Sequence, residues 1–238
     1  MRQANVIGWY DHGNIGDESY KQAFPTLFPD VTFHFSDVAP TEPCDNCILG
    51  GGDVLCQCFV QNLLDSPARK RIILSVSVNP ATAPFELLKR VDQIIVRDLR
   101  SVEILRSHDI KCVWMPDIAT ILSPNRELGE LWLEREFREH GLELYERRIG
   151  VVFNSHLYHH DNGLYARDLI TLLKACGELA QFADSTSASF IFFPMSTQMP
   201  CDDRITNGFI AGQCKFWRKN LLVYDALSVQ DTLNDSGM

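Results

Sequence analysis

Asp17 follows two glycines and an Asn in HGNIGDESY, residues 12–20, directly after the apolar run ANVIGWY. A carboxylate at that point can orient a sugar hydroxyl or take its proton. Gly13, Asn14 and Gly16 let a ligand's oxygens come close to the backbone, and the N–H groups of a first helical turn point the same way. The plainer role for Asp17 is to cap that turn itself. A second loop, CILGGGDVL (47–55), sets Gly50, Gly51 and Gly52 in a row where an apolar stretch ends. It has neither the Lys of a P-loop nor GxGxxG spacing, and its plainer role is a crowded backbone crossing. Arg97 and Asp98 in IIVRDLRSVEIL (94–105) come third. An Arg fork suits a carboxylate or phosphate, unless the neighbouring Asp holds it. Asp117 in MPDIATIL (115–122) is the fourth, where Pro and Asp also shape a turn. Asn154 and His156 in FNSHLYHHD (153–161) offer polar contacts to hydroxyls. A loop reading of that segment makes His159 and His160 exposed residues rather than metal ligands.

These groups fall where one kind of element passes to another. NVIGWY, VTFHFSDV, NCILGG, RIILSVSV, QIIVRD and KCVWMPD read as strands. ESYKQAFPTLF, VLCQCFVQNLLDS, PFELLKRV and SVEILRSHD read as the helices between them. That alternation predicts an α/β fold with a parallel sheet covered on both faces, and ligands of such folds bind outside the carboxyl ends of the strands. Residues 1–123 form a first Rossmann-like domain on this reading. A charge-rich helical segment, 124–147, connects it to a second unit, 148–238, with strands in RIGVVFNSH, ASFIFFPMS and NLLVYDA and a helix in LYARDLITLLKACGELAQFA. Three strands are few for a doubly wound half, so the second domain is expected to be partial. Phe153, Phe190, Phe192 and Phe193 are expected in its core.

Composition narrows the function classes. Apolar residues make up 45% of the 238, enough for real cores. The net charge of −9 lacks the phosphate-neutralising footprint of a nucleic-acid binder. No apolar run approaches the ~20 residues of a membrane span, and the N-terminus does not have the form of a signal peptide. The expected location is the cytoplasm, where the eight Cys are thiols rather than a disulfide framework. Cys44, Cys47, Cys56 and Cys58 are spaced like a zinc knuckle. Against that, Cys47 begins a strand, and Cys56 and Cys58 fall in a helix, where residues two apart point in different directions.

The ordered set GNIGDE, ILGGGDVL, VRDLRSVEILRSHDIK and PDIATIL resembles the polysaccharide pyruvyl transferase family over roughly residues 5–122. IGVVFNSH and FFPMSTQMPCDD are similar to its second-domain strands. The resemblance implies a glycosyltransferase-B-like fold of two Rossmann-like domains with the site in the cleft. It also implies transfer of a pyruvyl group from phosphoenolpyruvate to two sugar hydroxyls as a ketal, in cell-surface glycan biosynthesis. The partners are then the small donor and a glycan or lipid-linked sugar acceptor, with no separate cofactor. Asp17 becomes the catalytic base. Gly13, Asn14, Gly16, Gly50, Gly51, Gly52, Arg97, Asp98, Asp117, Asn154 and His156 become substrate contacts. Two departures bear on activity. The family's Arg-x-His motif follows a further second-domain strand, and the chain reaches Met238 before that position; Asn154, Ser155 and His156 stand where a basic residue is expected. The alternatives are a non-catalytic carbohydrate or nucleotide-sugar binding fragment, a nucleotide-sugar glycosyltransferase, and a cysteine-dependent metal or redox protein.

Overall fold

A computed structural model describes residues 2–52, 54–152, 165–197 and 202–224. The chain divides between Ser123 and Pro124 into two units, each with its own parallel sheet. In the first unit the strands are β1 (Arg2–Ile7), β2 (Val31–Ser36), β3 (Cys44–Gly50), β4 (Ala68–Val76), β5 (Gln93–Val96) and β6 (Val113–Trp114). Their order is β2-β1-β3-β4-β5-β6, every neighbouring pair parallel. Helices α1 (Ile15–Leu27), α2 (Gln57–Asp65), α3 (Phe85–Leu88) and α4 (Leu99–Ser107) alternate with the strands, and a 3-10 turn spans Ile118–Ile121.

The sheet is buried on both faces because its strands are apolar at consecutive positions. Alternation sends Val6, Ile48 and Leu74 to one face, where they pack with Tyr20, Ala23 and Phe24 of α1 and with Ile118. Ile7, Leu49, Ile73 and Val96 go to the other, against Val60 and Leu63 of α2, Leu88 of α3, and Val102 and Leu105 of α4. Each fully buried Leu or Ile contributes about 2 kcal/mol relative to exposure. The strand order reverses direction between β1 and β3. A fold wound this way opens a crevice at that switch point, outside the carboxyl ends of the two strands. The loops leaving those ends are the two glycine-bearing ones.

The second unit holds α5 (Arg126–Glu139), β7 (Arg148–Val152), α6 (Tyr165–Ser185), β8 (Ser189–Phe193), α7 (Asp203–Gln213) and β9 (Asn220–Leu222). Its sheet runs β7-β8-β9, parallel throughout. Phe190 and Phe192 lie in its core with Val151, Cys176, Ala180 and Ile210, and Phe193 is half-buried. Phe153 lies outside the described residues. The charge-rich helix stops well short of Arg148: Gly141 takes φ 63°, and Leu142 N donates to Phe137 O at 2.7 Å, closing the helix with a left-handed cap. Within α5 only Trp132 and Phe137 are buried.

Helix α7 has no counterpart in the sequence reading. Its segment, DRITNGFIAGQ, carries two glycines and β-branched residues, so its local propensity is low. Asp202 caps it, accepting from Arg204 N at 3.0 Å, and Ile210 and Ala211 bury one side. Tertiary burial outweighs propensity here.

Candidate functional site at the switch point

The loop after β1 folds back as a locked turn. Asp11 and Gly13 have φ of 63° and 65°. Lys21 of α1 reaches Asp11 Oδ1 at 2.6 Å and Glu18 Oε2 at 2.7 Å, and Glu18 Oε1 accepts from Asp11 N at 2.5 Å. Burial works against the Lys21 ammonium, but these two carboxylates outweigh it and hold its pKa above the ordinary value. The helix cap differs from expectation. Helix α1 begins at Ile15, so Gly16 and Asp17 belong to its first turn, and Asn14 is the N-cap, accepting from Asp17 N at 3.3 Å. Asp17 therefore does not cap the turn. It is buried, at 7% exposure, facing the glycine loop after β3.

That loop is where the structure leaves no room for side chains. A Cβ on Gly50 would meet the Phe24 ring at 2.8 Å, one on Gly51 the Tyr20 ring at 2.7 Å, and one on Gly52 the Asp17 carboxylate at 2.2 Å. Gly51 and Gly52 also have φ of 92° and 72°, a region L-residues avoid. Tyr10 fixes the approach from the other side, its hydroxyl donating to Gly50 O at 2.5 Å. The two glycine-bearing loops thus interlock across the β1–β3 crevice.

Arg97 joins them through a polar cluster. Its Nη1 donates to Asp117 Oδ2 at 3.0 Å and to the Tyr20 hydroxyl at 3.3 Å, and its Nε donates to Ser77 Oγ at 2.8 Å. The Tyr20 hydroxyl donates to Asp117, 2.8 Å from Oδ1, and Ser75 Oγ donates to Asp117 Oδ1 at 3.0 Å. Asp117 also accepts from Ala119 N at 3.0 Å and so caps the 3-10 turn. Burial disfavours the Arg97 cation, yet Tyr20 and Asp117 together keep its pKa above the ordinary value. Burial, countered in part by the Ser75 hydrogen bond, likewise raises the Tyr20 phenol. Arg97 is therefore held by Asp117, not by the adjacent Asp98.

Asp98 is a helix cap. Its Oδ1 accepts from Ser101 N and its Oδ2 from Ser101 Oγ, both at 2.7 Å. Burial pushes its pKa up, but those hydrogen bonds and Ser77 outweigh it, leaving the carboxyl below its ordinary value. A depressed folded value means the contribution is present above the unfolded pKa and lost as pH falls through the folded one. Asp98→Ala is expected to cost about 1 kcal/mol at neutral pH. Urea unfolding should show the deficit shrinking as pH falls below the ordinary Asp value of about 3.9; a pH-independent deficit would contradict the cap.

Of the sequence-nominated residues, Gly13, Asn14, Gly16, Asp17, Gly50, Gly51 and Gly52 flank the β1–β3 crevice, with Arg97 and Asp117 tied in through Tyr20. Asp98 lies beside them, turned to its own helix. Asn154, His156, His159 and His160 lie outside the described residues. Sequence reading missed Tyr10, Tyr20 and Ser75. Both tyrosines sit among core-spaced apolar residues, and a buried hydroxyl's need for a partner was the available signal. Ser75 had none: its φ of 60° belongs to a bulge in β4, where the register to β5 shifts between Leu74 and Val76. The bulge lets Ser75 Oγ donate to Asp117 and accept from Ile118 N at 3.0 Å.

Trp9 and His12 stack at the same rim, ring centroids 3.8 Å apart, and Trp9 meets Phe59 of α2 edge-on at 6.3 Å. Trp9 is 44% exposed. Among the described residues no group of three or more His, Cys, Asp or Glu is placed to hold a metal ion. No described helix is long and apolar enough to cross a membrane. The expected divergence of Cys56 and Cys58 is corrected: Cys56 is the N-cap of α2, with φ −110° and ψ 167°, and its sulfur lies 2.9 Å from that of Cys58. An N-cap has extended backbone, so the helical two-residue offset does not apply to it.

A doubly wound parallel sheet with glycine-bearing loops at its switch point, followed by a second Rossmann-like unit, defines an α/β protein of the glycosyltransferase-B type. The polysaccharide pyruvyl transferase family model matches residues 7–197, from the end of β1 to beyond β8. The chain belongs to that family, and pyruvyl transfer is the activity that membership indicates. Comparison with curated proteins finds none that matches.

Proposed function

We propose that the chain transfers the pyruvyl group of phosphoenolpyruvate to two hydroxyls of a glycan or lipid-linked sugar, as a step in cell-surface glycan biosynthesis. The enol carbon gains two C–O bonds and loses its bond to the phosphate oxygen. The methylene carbon takes one hydroxyl proton to become a methyl group, and the other leaves with inorganic phosphate. The activated group arrives on the donor, so the reading calls for no separate cofactor. Asp17 takes the role of base towards an acceptor hydroxyl, and Arg97 that of a positive group for the donor's carboxylate or phosphate. Gly13, Asn14, Gly16 and Gly50 to Gly52 shape the crevice. Asp117 and Asp98 hold Arg97 and the start of α4 in place. Trp9 offers a flat apolar ring beside the polar rim, suited to the C–H face of a pyranose. The reading places the reaction in the cytoplasm.

The observation that carries the reading is the interlock of the family-matched loops at the β1–β3 crevice, with Tyr20 linking Gly51 to Arg97 and Asp117. The test is phosphate release from phosphoenolpyruvate with a panel of sugar acceptors, with the ketal identified by mass. Turnover is expected in the wild type, with Arg97→Ala lowering kcat/KM by about 100-fold, the usual cost of losing one charged stabilising donor. Thermal stabilisation by nucleoside diphosphates without any response to phosphoenolpyruvate would replace this reading with nucleotide-sugar chemistry.

A further inference from the structure

Cys56 and Cys58 are separated only by Gln57 and have their sulfurs 2.9 Å apart at the start of α2. Cys58 is exposed and Cys56 half-buried, whereas Cys47, Cys176 and Cys214 are buried. The contact is a product of the cap. A Ser or Asp at an N-cap turns its oxygen onto the first-turn N–H groups, but Cys56 makes no such bond. Its extended backbone carries the sulfur back over the first turn, where Cys58 meets it. A disulfide has an S–S length of about 2.05 Å, so closure brings the sulfurs together by roughly 0.9 Å. Burial pushes the Cys47 thiol up to about 11 and also raises Cys176 and Cys214.

We propose that Cys56 and Cys58 form a reversible dithiol–disulfide site for low-molecular-weight disulfides of the glutathione type, coupling their redox state to the β1–β3 crevice. One protein thiolate attacks the external disulfide, forms a mixed disulfide and expels one small thiolate. The second protein sulfur attacks the first, closes the Cys56–Cys58 bond and expels the other small thiolate. Two electrons pass from the protein to the external disulfide, and the two thiol protons go to the two released thiolates. The hydrogen bond with Cys56, and then burial, raise the Cys58 thiol above its ordinary value.

Both residues adjoin segments that reach the crevice. Cys56 ends the loop that carries Gly51 and Gly52, and its N–H donates to Val54 O at 2.9 Å. Cys58 precedes Phe59, whose ring stands edge-on to Trp9. Drawing the sulfurs together changes the cap, and with it the loop on one side and the Phe59–Trp9 contact on the other. This inference does not depend on the chemistry of the transfer reaction.

The experiment uses the full chain, reduced and then equilibrated in glutathione buffers of increasing oxidation, with alkylation and peptide mapping. The expected product is a peptide containing Cys56 and Cys58 that has lost two hydrogens and regains them with dithiothreitol. Cys56→Ser and Cys58→Ser should each stop at a glutathione adduct on the remaining sulfur. Oxidation should also change tryptophan fluorescence in the wild type but not in Trp9→Phe. A wild type that stops at the glutathione adduct, pairs either sulfur with Cys44 or Cys112, or stays reduced throughout overturns the site. A disulfide that forms without the Trp9-dependent change overturns the coupling to the crevice.

Discussion

Gly52→Ala is expected to destabilise the first unit by about 3 kcal/mol and to lower its melting temperature by roughly 10 °C. Two causes add. At φ 72° an L side chain is strained, which costs about 1–2 kcal/mol. The new methyl would also stand 2.2 Å from Asp17 Oδ1, so the buried carboxylate must move and its hydrogen-bonding surroundings change with it. The collision can be separated from the strain. In Asp17→Ala the obstacle is gone, so adding Gly52→Ala should cost only the strain, and the double-mutant cycle should show a coupling of about 1–2 kcal/mol. Calorimetry of the four proteins measures this. Additive effects would mean that Asp17 does not face Gly52. Because Asp17 is the proposed base, Gly52→Ala should also reduce pyruvyl transfer by more than its loss of stability accounts for.

Asp117→Ala is expected to cost a similar amount for a different reason. The carboxylate accepts from Arg97, Tyr20, Ser75 and Ala119 N. Removing it leaves a half-buried guanidinium without its counter-charge, the Ser75 hydroxyl without this acceptor and the Tyr20 hydroxyl with only the Ser75 carbonyl at 3.3 Å, each a desolvation penalty. The side chains of Arg97 and Asp117 remain 27% and 25% exposed, so water screens part of the loss, and about 3 kcal/mol is expected rather than the upper range for a fully buried pair. Asp117→Asn keeps an oxygen for Ser75 and Ala119 N but loses the charge opposite Arg97, and should cost about half as much. Urea unfolding of both variants decides it. Equal costs for Ala and Asn would show that the cap and hydroxyl bonds contribute nothing separable from the ion pair. A negligible cost for Ala would show that Arg97 is not held by Asp117.

The two effects meet in one place. Tyr20 packs its ring under Gly51 and gives its hydroxyl to Asp117, so the glycine loop and the Arg97 cluster are a single connected structure. Losing either partner disturbs the other, and a ligand that engages Arg97 must do so against its bond to Asp117.

Much of the architecture is legible in the sequence. The six first-unit strands and the helices between them were read at or near their places because parallel strands buried on both faces are near-continuous apolar runs. Helix α7 was not, since its residues favour helix only once Ile210 and Ala211 are buried. The length of α5 was overestimated because charge and spacing continue past Glu139, while one glycine at φ 63° ends it.

The strand-end loops also announced themselves, since glycine runs beside Asp and Arg carry a local signature that does not depend on the rest of the chain. Their partners did not. Arg97 could be named from sequence, but its pairing with Asp117, twenty positions away, rather than with its neighbour Asp98 depends on the order of strands and on a bulge at Ser75. Cys56 and Cys58 could be seen two apart, yet their contact depends on Cys56 falling one residue before the helix proper. Periodicity and residue type are properties of neighbours along the chain, and so strands, helices and turns follow from them. Which side chains complete one another across the sheet depends on distances between residues far apart in sequence, and only the folded backbone sets those.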